Sequence, residues 1–317
     1  MIRTILEKIE AGRSFLVASH ESPDGDAMAS TLALTNFLRE CGKDVLAYNR
    51  DGVPQDYAFL PGAENLVSEI PPGETFDVGF VLDAGELRRA GAHLKEVCRS
   101  LVNIDHHPFS EDFGDVYYVD EEASATGAMI YRLVKASGRP LSQEVALCVY
   151  TAILADTGSF RYSNANPEAF TTAAEMVARG VNPWDVASSL YESQDEKRLR
   201  LLAQALATLT VSSCGRYASV AVTQAMYDQA RAGAEHTDGF VNYPRSVRGV
   251  EVAIFFRQVS ATSFKLGFRS KGRIDVGALS REFGGGGHHN AAGAVVDGTL
   301  DEVRATVFSR LDSLLAG

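Results

Sequence analysis

The stretch Ser19-His20-Glu21-Ser22-Pro23-Asp24-Gly25-Asp26 puts an imidazole and two aspartates into one short turn, with Pro23 and Gly25 to bend the backbone between them. An aspartate at a helix start is, by itself, a cap for free backbone N–H groups. A histidine and a second aspartate beside it need another reason. The same residue types return three times: Asp83 in Val81-Leu82-Asp83-Ala84-Gly85-Glu86, the triplet Asp105-His106-His107, and Asp156 in Leu154-Ala155-Asp156-Thr157-Gly158. Each alone reads as a cap, a turn or a solvated loop; together they read as a ligand set. Carboxylate and imidazole donors suit Mn²⁺ or Fe²⁺ better than Ca²⁺, which prefers oxygen throughout. No thiolate accompanies them, which argues against a structural zinc site. Several carboxylates brought to one place also need cations to relieve their repulsion.

The elements around these residues are able to carry them to one edge. Residues 15–18 form an apolar run that reads as a buried strand, and 27–41 show helical spacing of Met28, Leu32, Leu34, Phe37 and Leu38. The turn between them then lies at the carboxyl end of a strand, where open α/β sheets keep their sites. Residues 43–48, 76–82 and 100–104 read as further strands, the last two ending at Asp83 and Asp105. Residues 124–136 and 142–155 read as helices, the second running into Asp156. Helices are also expected at 1–12, 167–179, 183–191 and 195–209, with 49–72 a loop holding a short helix. Strands separated by helices predict a mainly parallel sheet. Beyond it, a hairpin is expected from 209–212 and 217–222, strands at 251–256, 263–268 and 294–296, and helices at 276–283 and 301–315. The expected fold is α/β in two domains. An N-terminal mainly parallel sheet flanked by helices fills 1–190, a helical linker 191–208, and a smaller C-terminal mixed-sheet α/β domain 209–317. The active site is expected in the cleft between them, opening about the polar junction near 188–196.

Composition narrows the partners. At 317 residues and 45% hydrophobic content, the chain suits two globular domains. No apolar run approaches the roughly 20 residues that span a bilayer, and the N-terminus reads as an amphipathic helix, not a signal peptide. Cys41, Cys98, Cys148 and Cys214 form no CxxC pair, so a reducing cytoplasm is expected. A net charge of −11 disfavours long duplex nucleic acid, whose binding rests on phosphate neutralisation. A local basic pocket for a short phosphorylated ligand is still compatible with it. The run Gly284 to Gly287 lets backbone approach a ligand closely, and a helix opening after it would aim free N–H groups at a phosphate. His288 and Arg269-Ser270-Lys271 add positive charge there. Arg257 ends a strand and suits a base or a phosphate. Arg161 follows Asp156 in Phe160-Arg161-Tyr162, whose aromatics read as packing, as does Trp184 beside Pro183. Ser19, Ser22 and Ser124 read as structural, and no GxSxG motif is present.

In this order, SHESPDGDA, VLDAGE, NIDHHPF and ADTGSFRY closely resemble the four motifs of the DHH phosphoesterases. GGGGHHNAAG resembles the GGGHxxAAG signature of the DHH-associated substrate domain. The resemblance spans nearly the whole chain, and in length and lack of extra modules it is most similar to the bifunctional oligoribonucleases (nanoRNases) and pAp phosphatases. It implies two divalent metal ions, Mn²⁺ first, with Mg²⁺, Co²⁺ or Fe²⁺ as alternatives. His20, Asp24 and Asp83 would hold one; Asp26, Asp83, His106 and Asp156 the other, with Asp83 bridging. It implies that His107 faces the substrate phosphate while Asp105 orients its neighbours. Arg269, Ser270 and His288, with Gly286 and Gly287, would grip a 5′-phosphate or terminal nucleotide, and Arg161 would reach toward the scissile phosphate; Arg257 joins this set. The implied activity is hydrolysis of short 5′-phosphorylated oligoribonucleotides to mononucleotides, and of pAp to AMP, by water activated between metals about 3.5–4 Å apart. A cyclic dinucleotide or pApA phosphodiesterase is the alternative. A family-type pyrophosphatase would lack the glycine–histidine signature, and a RecJ-type exonuclease would bring further modules and more positive charge. A non-catalytic nucleotide sensor would have lost ligands, and none is lost. Related enzymes are often dimers.

Overall fold

A computed structural model describes residues 1–287 and 289–315. They fold as two compact units, one ending at Ser193 and the other beginning at Gln194. The first unit runs α1 (Ile2–Ala11), β1 (Ser14–Ser19), α2 (Gly25–Glu40), β2 (Asp44–Tyr48), β3 (Val78–Leu82), α3 (Leu87–Ala90), α4 (Leu94–Val97), β4 (Leu101–Asp105), β5 (Val116–Val119), α5 (Thr126–Ala136), α6 (Gln143–Asp156), α7 (Pro167–Ala178) and α8 (Pro183–Tyr191). Its strands form a parallel sheet in the order β2-β1-β3-β4-β5.

The central strands are buried on both faces, so they read as continuous apolar runs. One face packs on α2, α5 and α6 through Phe15, Val17, Phe80, Leu82, Ile104, Met28, Ile130 and Ile153. The other packs through Leu16, Ala18, Val81, Leu87, Leu94 and Leu101. The register sets Ser19 beside Leu82 and Leu82 beside Ile104. His20, Asp83 and Asp105 therefore leave the carboxyl edge side by side. On the helical side, a Cβ at Gly25 would lie 2.4 Å from the Ala155 Cβ, and one at Gly127 would lie 2.3 Å from the Ala152 Cβ. Glycine lets α2 and α5 close onto α6, which brings Asp26 and Asp156 to the same edge. β5 was not among the expected strands: it is four residues long and mostly half-exposed.

The second unit runs α9 (Glu196–Ala207), β6 (Thr210–Val211), β7 (Tyr217–Val222), α10 (Gln224–Ala230), α11 (Asn242–Ser246), β8 (Val252–Ser260), β9 (Ser263–Ser270), α12 (Val276–Glu282), β10 (Gly286–Gly287), β11 (Ala291–Asp297) and α13 (Leu300–Leu315). Its sheet has the order β10-β11-β9-β8-β7-β6, with β7 and β8 parallel and the other pairs antiparallel. The stretch expected as a linker holds α9, whose Leu201 and Ala205 are buried with Val220, Val222, Phe240 and Phe255. Val276, Leu279, Val307 and Leu311, from α12 and α13, cover the opposite face over Phe256 and Phe268.

Two expectations are corrected. No helix opens after the glycine run: Gly286 and Gly287 pair antiparallel with Gly293 and Ala292. A Cβ at Gly285 would lie 2.1 Å from the Gly293 carbonyl oxygen, and one at Gly287 would lie 2.4 Å from the Ala292 Cα. These glycines allow two strands to touch, a use of glycine that the run by itself does not distinguish from a phosphate loop. Trp184 is not a packing residue. Asn182 caps α8 through the Trp184 backbone N–H, and the indole stands 64% exposed.

Candidate metal centre

Asp83 is the middle of the carboxyl edge. It is 1% exposed and held in the left-handed region at φ 57°, a conformation an aspartate tolerates at a cost of about 1–2 kcal/mol. Its Oδ1 accepts the Thr126 hydroxyl at 2.9 Å. Around it stand His20 Nε2 at 3.7 Å from Oδ2, His106 Nε2 at 3.5 Å from Oδ1 and His107 Nδ1 at 3.4 Å from Oδ1. His20 Nε2 also lies 3.9 Å from Asp24 Oδ1. His106 Nε2 lies 3.6 Å from Asp26 Oδ2 and 3.8 Å from Asp156 Oδ2. His20, Asp24 and Asp83 form one compact group of donors, and Asp83, His106 and His107 another.

Hydrogen bonds fix the tautomers. His20 Nδ1 faces the Glu21 carbonyl at 2.7 Å and His106 Nδ1 faces the Ala123 carbonyl at 3.2 Å. A carbonyl only accepts, so in each neutral ring Nδ1 carries the proton and Nε2 presents its lone pair. Burial keeps His20 toward this neutral form, lowering its pKa. Lone pairs then face carboxylate oxygens at 3.5–3.9 Å, too far for hydrogen bonds and repulsive without something positive between them. Two metal–ligand bonds of about 2.1 Å meeting at about 110–125° span about 3.4–3.7 Å. The donor set thus fits divalent cations, with histidines whose second nitrogen is already anchored.

The carboxylates show the same need. Burial, then the neighbouring Asp26, Asp24, Asp105 and Asp156, raise the Asp83 pKa well above 3.8. Burial also raises Asp26, against the pull of His106, and burial followed by Asp26 takes Asp156 up to about 7. Asp105 behaves oppositely. Burial pushes it up, but bonds from His107 and Ser110 outweigh this and bring it down to about 2. Asp105 Oδ1 accepts the His107 backbone N–H at 3.0 Å and ring Nδ1–H at 2.8 Å; Oδ2 accepts the Ser110 hydroxyl and the Gly85 N–H, each at 2.7 Å. Burial acts to lower His107, and the bond from Asp105 reverses it, leaving the pKa raised.

Several positioning residues carried no signal in the sequence. Asp26 accepts the Ser30 hydroxyl at 2.7 Å and the Thr126 and Gly127 N–H groups at 2.6 and 3.0 Å, so the first turn of α5 grips it. Asn164 donates to Asp156 Oδ2 at 2.7 Å. Only Ser30, one helical turn after Asp26, was open to discovery from spacing. Arg161 is exposed; its Nε donates to the Gly158 carbonyl at 2.6 Å and its guanidinium lies over Tyr162. Phe160 stacks on Phe170 at 5.0 Å.

The other expected site residues belong to the second unit. Ser270 is buried, and its hydroxyl donates to Asn290 Oδ1 at 3.0 Å. Arg269 pairs with Ala291 across the β9–β11 ladder, next to the glycine strand. Gly286 is exposed, with open space where a Cβ would stand. His288 lies outside the described residues. Arg257 is not with this group: it pairs with Lys265, four rungs along the ladder from the Ala253–Arg269 pair.

Residues 14–153 match the DHH family, N-terminal domain, and residues 217–315 match the DHHA1 domain. The chain is 33% identical over 302 residues to the bifunctional oligoribonuclease and PAP phosphatase NrnA of Thermus thermophilus, covering 94% of this chain and 88% of that protein. It is 27% identical to the protein of the same name from Bacillus subtilis, with 92% of each covered. Among solved structures, an exopolyphosphatase-related protein from Bacteroides fragilis superposes with a TM-score of 0.92 at 29% identity, over 98% of this chain and 94% of that one.

Proposed function

The chain belongs to the DHH family and carries a DHHA1 domain, and from this we propose that it is a Mn²⁺-dependent phosphoesterase that hydrolyses short 5′-phosphorylated oligoribonucleotides to mononucleotides and pAp to AMP. The observation that carries the reading is the ring of imidazole lone pairs and buried carboxylates around Asp83. It is joined to a near full-length likeness to a protein named for those two activities.

In this reading His20, Asp24 and Asp83 hold one cation, and Asp26, Asp83, His106 and Asp156 the other. Oxygen and imidazole donors are compatible with Mn²⁺, and Mg²⁺, Co²⁺ and Fe²⁺ are the substitutes. Bound there, the pair supplies an acidified water as nucleophile and absorbs charge on the phosphoryl oxygens. The remaining work belongs to the chain. Asp105, ionised and four times hydrogen-bonded, fixes the His107 ring through Nδ1. The raised pKa of His107 lets it bring a proton to the phosphoryl or leaving oxygen near neutral pH. Thr126 holds Asp83 in one rotamer. Arg269, Ser270, Gly286, Gly287 and His288 take the substrate's 5′-phosphate or terminal nucleotide, and Arg161 the scissile phosphate after leaving Gly158. The reading includes a cytoplasmic location and an assembly of two copies. No described helix is long and apolar enough to cross a membrane.

The test is release of mononucleotides from a 5′-phosphorylated RNA dinucleotide with Mn²⁺, comparing wild type with Asp83→Ala. Rapid cleavage by wild type, lost in the variant, is expected. A folded, Mn²⁺-loaded wild type that leaves the dinucleotide intact removes this reading and turns attention to pApA and cyclic dinucleotides.

A further inference from the structure

The second unit has a cavity of about 270 Å³ at the carboxyl end of the parallel β7–β8 pair, lined by Gln224, Tyr227, Ala234, Arg257 and Gln258 among others. Carboxyl ends of parallel strands are where α/β sheets leave room for ligands. Three hydrogen-bond donors line it. The Tyr227 hydroxyl is buried and makes no well-formed hydrogen bond with any described residue; the side chain as a whole is 6% exposed. Its neighbour Thr237 gives its own proton to the Ala234 carbonyl at 2.6 Å, so the Thr237 oxygen is an acceptor close at hand but out of bonding geometry. Arg257 is half-buried, and its guanidinium makes no hydrogen bond or ion pair with any described residue. Gln258 accepts the Gln224 N–H through Oε1 at 2.8 Å, which leaves its amide nitrogen as the third donor.

No acid lines the cavity, although the chain carries a net charge of −11. Among the described residues the one acid at its rim is Glu235, whose carboxylate stands over Gly233, 3.1 Å from His236 Nδ1. Burial keeps the Tyr227 hydroxyl protonated by raising its pKa, and Glu235 adds to the rise. A half-buried cation and a buried hydroxyl without partners are each costly in isolation. Both costs are removed by one ligand that is anionic and offers several acceptor oxygens. A tetrahedral oxyanion matches that description, and arginine is the side chain suited to it. The four-rung separation from Arg269 is about 13 Å at about 3.3 Å per residue, which puts Arg257 at the other end of the ladder.

We propose that this cavity binds a small phosphate-bearing ligand through Arg257, Tyr227 and Gln258, separately from the end of the sheet where Ser270 and the glycine strand lie.

The test is calorimetric titration of the full chain, treated with EDTA, with inorganic phosphate. Wild type is compared with Arg257→Met, Tyr227→Phe and Arg269→Met. Arg257→Met should weaken binding at least tenfold and Tyr227→Phe about threefold to tenfold, the worth of one hydrogen bond, while Arg269→Met retains binding at this site. Without phosphate, Tyr227→Phe should melt no lower than wild type, because the hydroxyl it removes makes no well-formed hydrogen bond. Repeating the titration with AMP separates two sources: binding tighter than phosphate and lost in Arg257→Met assigns a nucleoside monoester, and no gain assigns the free ion. Absence of millimolar phosphate binding to wild type overturns the proposal, as does binding that Arg257→Met leaves unchanged.

Discussion

Asp156→Asn should make the metal-free protein more stable at neutral pH, although it removes a residue proposed to hold metal. The folded carboxyl titrates at about 7 against an ordinary 3.8, because burial and Asp26 disfavour its charge. A carboxyl whose folded pKa is raised binds more protons when folded. Its contribution is whole below the unfolded value, declines by about 1.4 kcal/mol per pH unit across the window from about 4 to 7, and is lost above it. Over the full window that is about 4 kcal/mol. Asparagine removes the charge but accepts the Asn164 bond less strongly, which returns about 1 kcal/mol. The net gain at pH 7.5 is then about 3 kcal/mol, or about 6–12 °C in the melting of the first unit. Asp26, Asp83 and His107, whose pKa values are also raised, steepen the wild-type decline; His20, whose pKa is lowered, opposes it as pH falls through 6.5. Scanning calorimetry in EDTA at pH 5.5 and 7.5 measures all of this. Mn²⁺ should restore wild type more at pH 7.5 than at 5.5, because binding displaces protons. If metal-free wild type melts higher at pH 7.5 than at 5.5, or Asp156→Asn gains nothing at pH 7.5, the picture of mutually repelling carboxylates is wrong.

Thr126→Val keeps side-chain shape but takes away the donor to Asp83 Oδ1; Mn²⁺ affinity should fall about 10–100-fold, read by metal titration with a near-unchanged fold. The glycines of the second unit should separate into two kinds. Gly285→Ala, whose Cβ would sit 2.1 Å from the Gly293 oxygen, should lower stability by about 1–3 kcal/mol in denaturant unfolding. Gly286→Ala meets no described residue, so its melting point should stay put while KM for a dinucleotide rises; an unchanged KM would remove Gly286 from the substrate contacts.

How far the sequence discloses the centre depends on the range of each interaction. β1, β3 and β4 announce themselves because burial on both faces makes them apolar throughout, and an aspartate or histidine closing such a run stands out. β5 does not, since Val116–Val119 is short and its tyrosines are half-exposed. Thr126 and Asn164 were invisible for a different reason: a hydroxyl or amide gains meaning only from the carboxylate that folding sets against it, and Thr126 reaches Asp83 and Asp26 from far along the chain. Arg257 and Arg269 both come near strand ends, but an antiparallel ladder reverses direction. Register, not position in a strand, decides which residues are neighbours. Trp184 is not legible from its proline neighbour, which says where α8 starts and not which way the helix turns.

The strand order β2-β1-β3-β4-β5 has a consequence for biosynthesis. The proposed ligands run from His20 to Asp156, and at about 5–20 residues per second the ribosome makes the first on the order of ten seconds before the last. During that interval the emerging chain holds only fragments of the ring, and β1 waits for β3 before His20 has a carboxylate beside it. A zinc finger gathers its ligands from one short segment and is nucleated by its ion. If the proposed ligands hold a cation, it would find its full set only after these distant segments have come together, so its occupancy would report completed folding of the first unit.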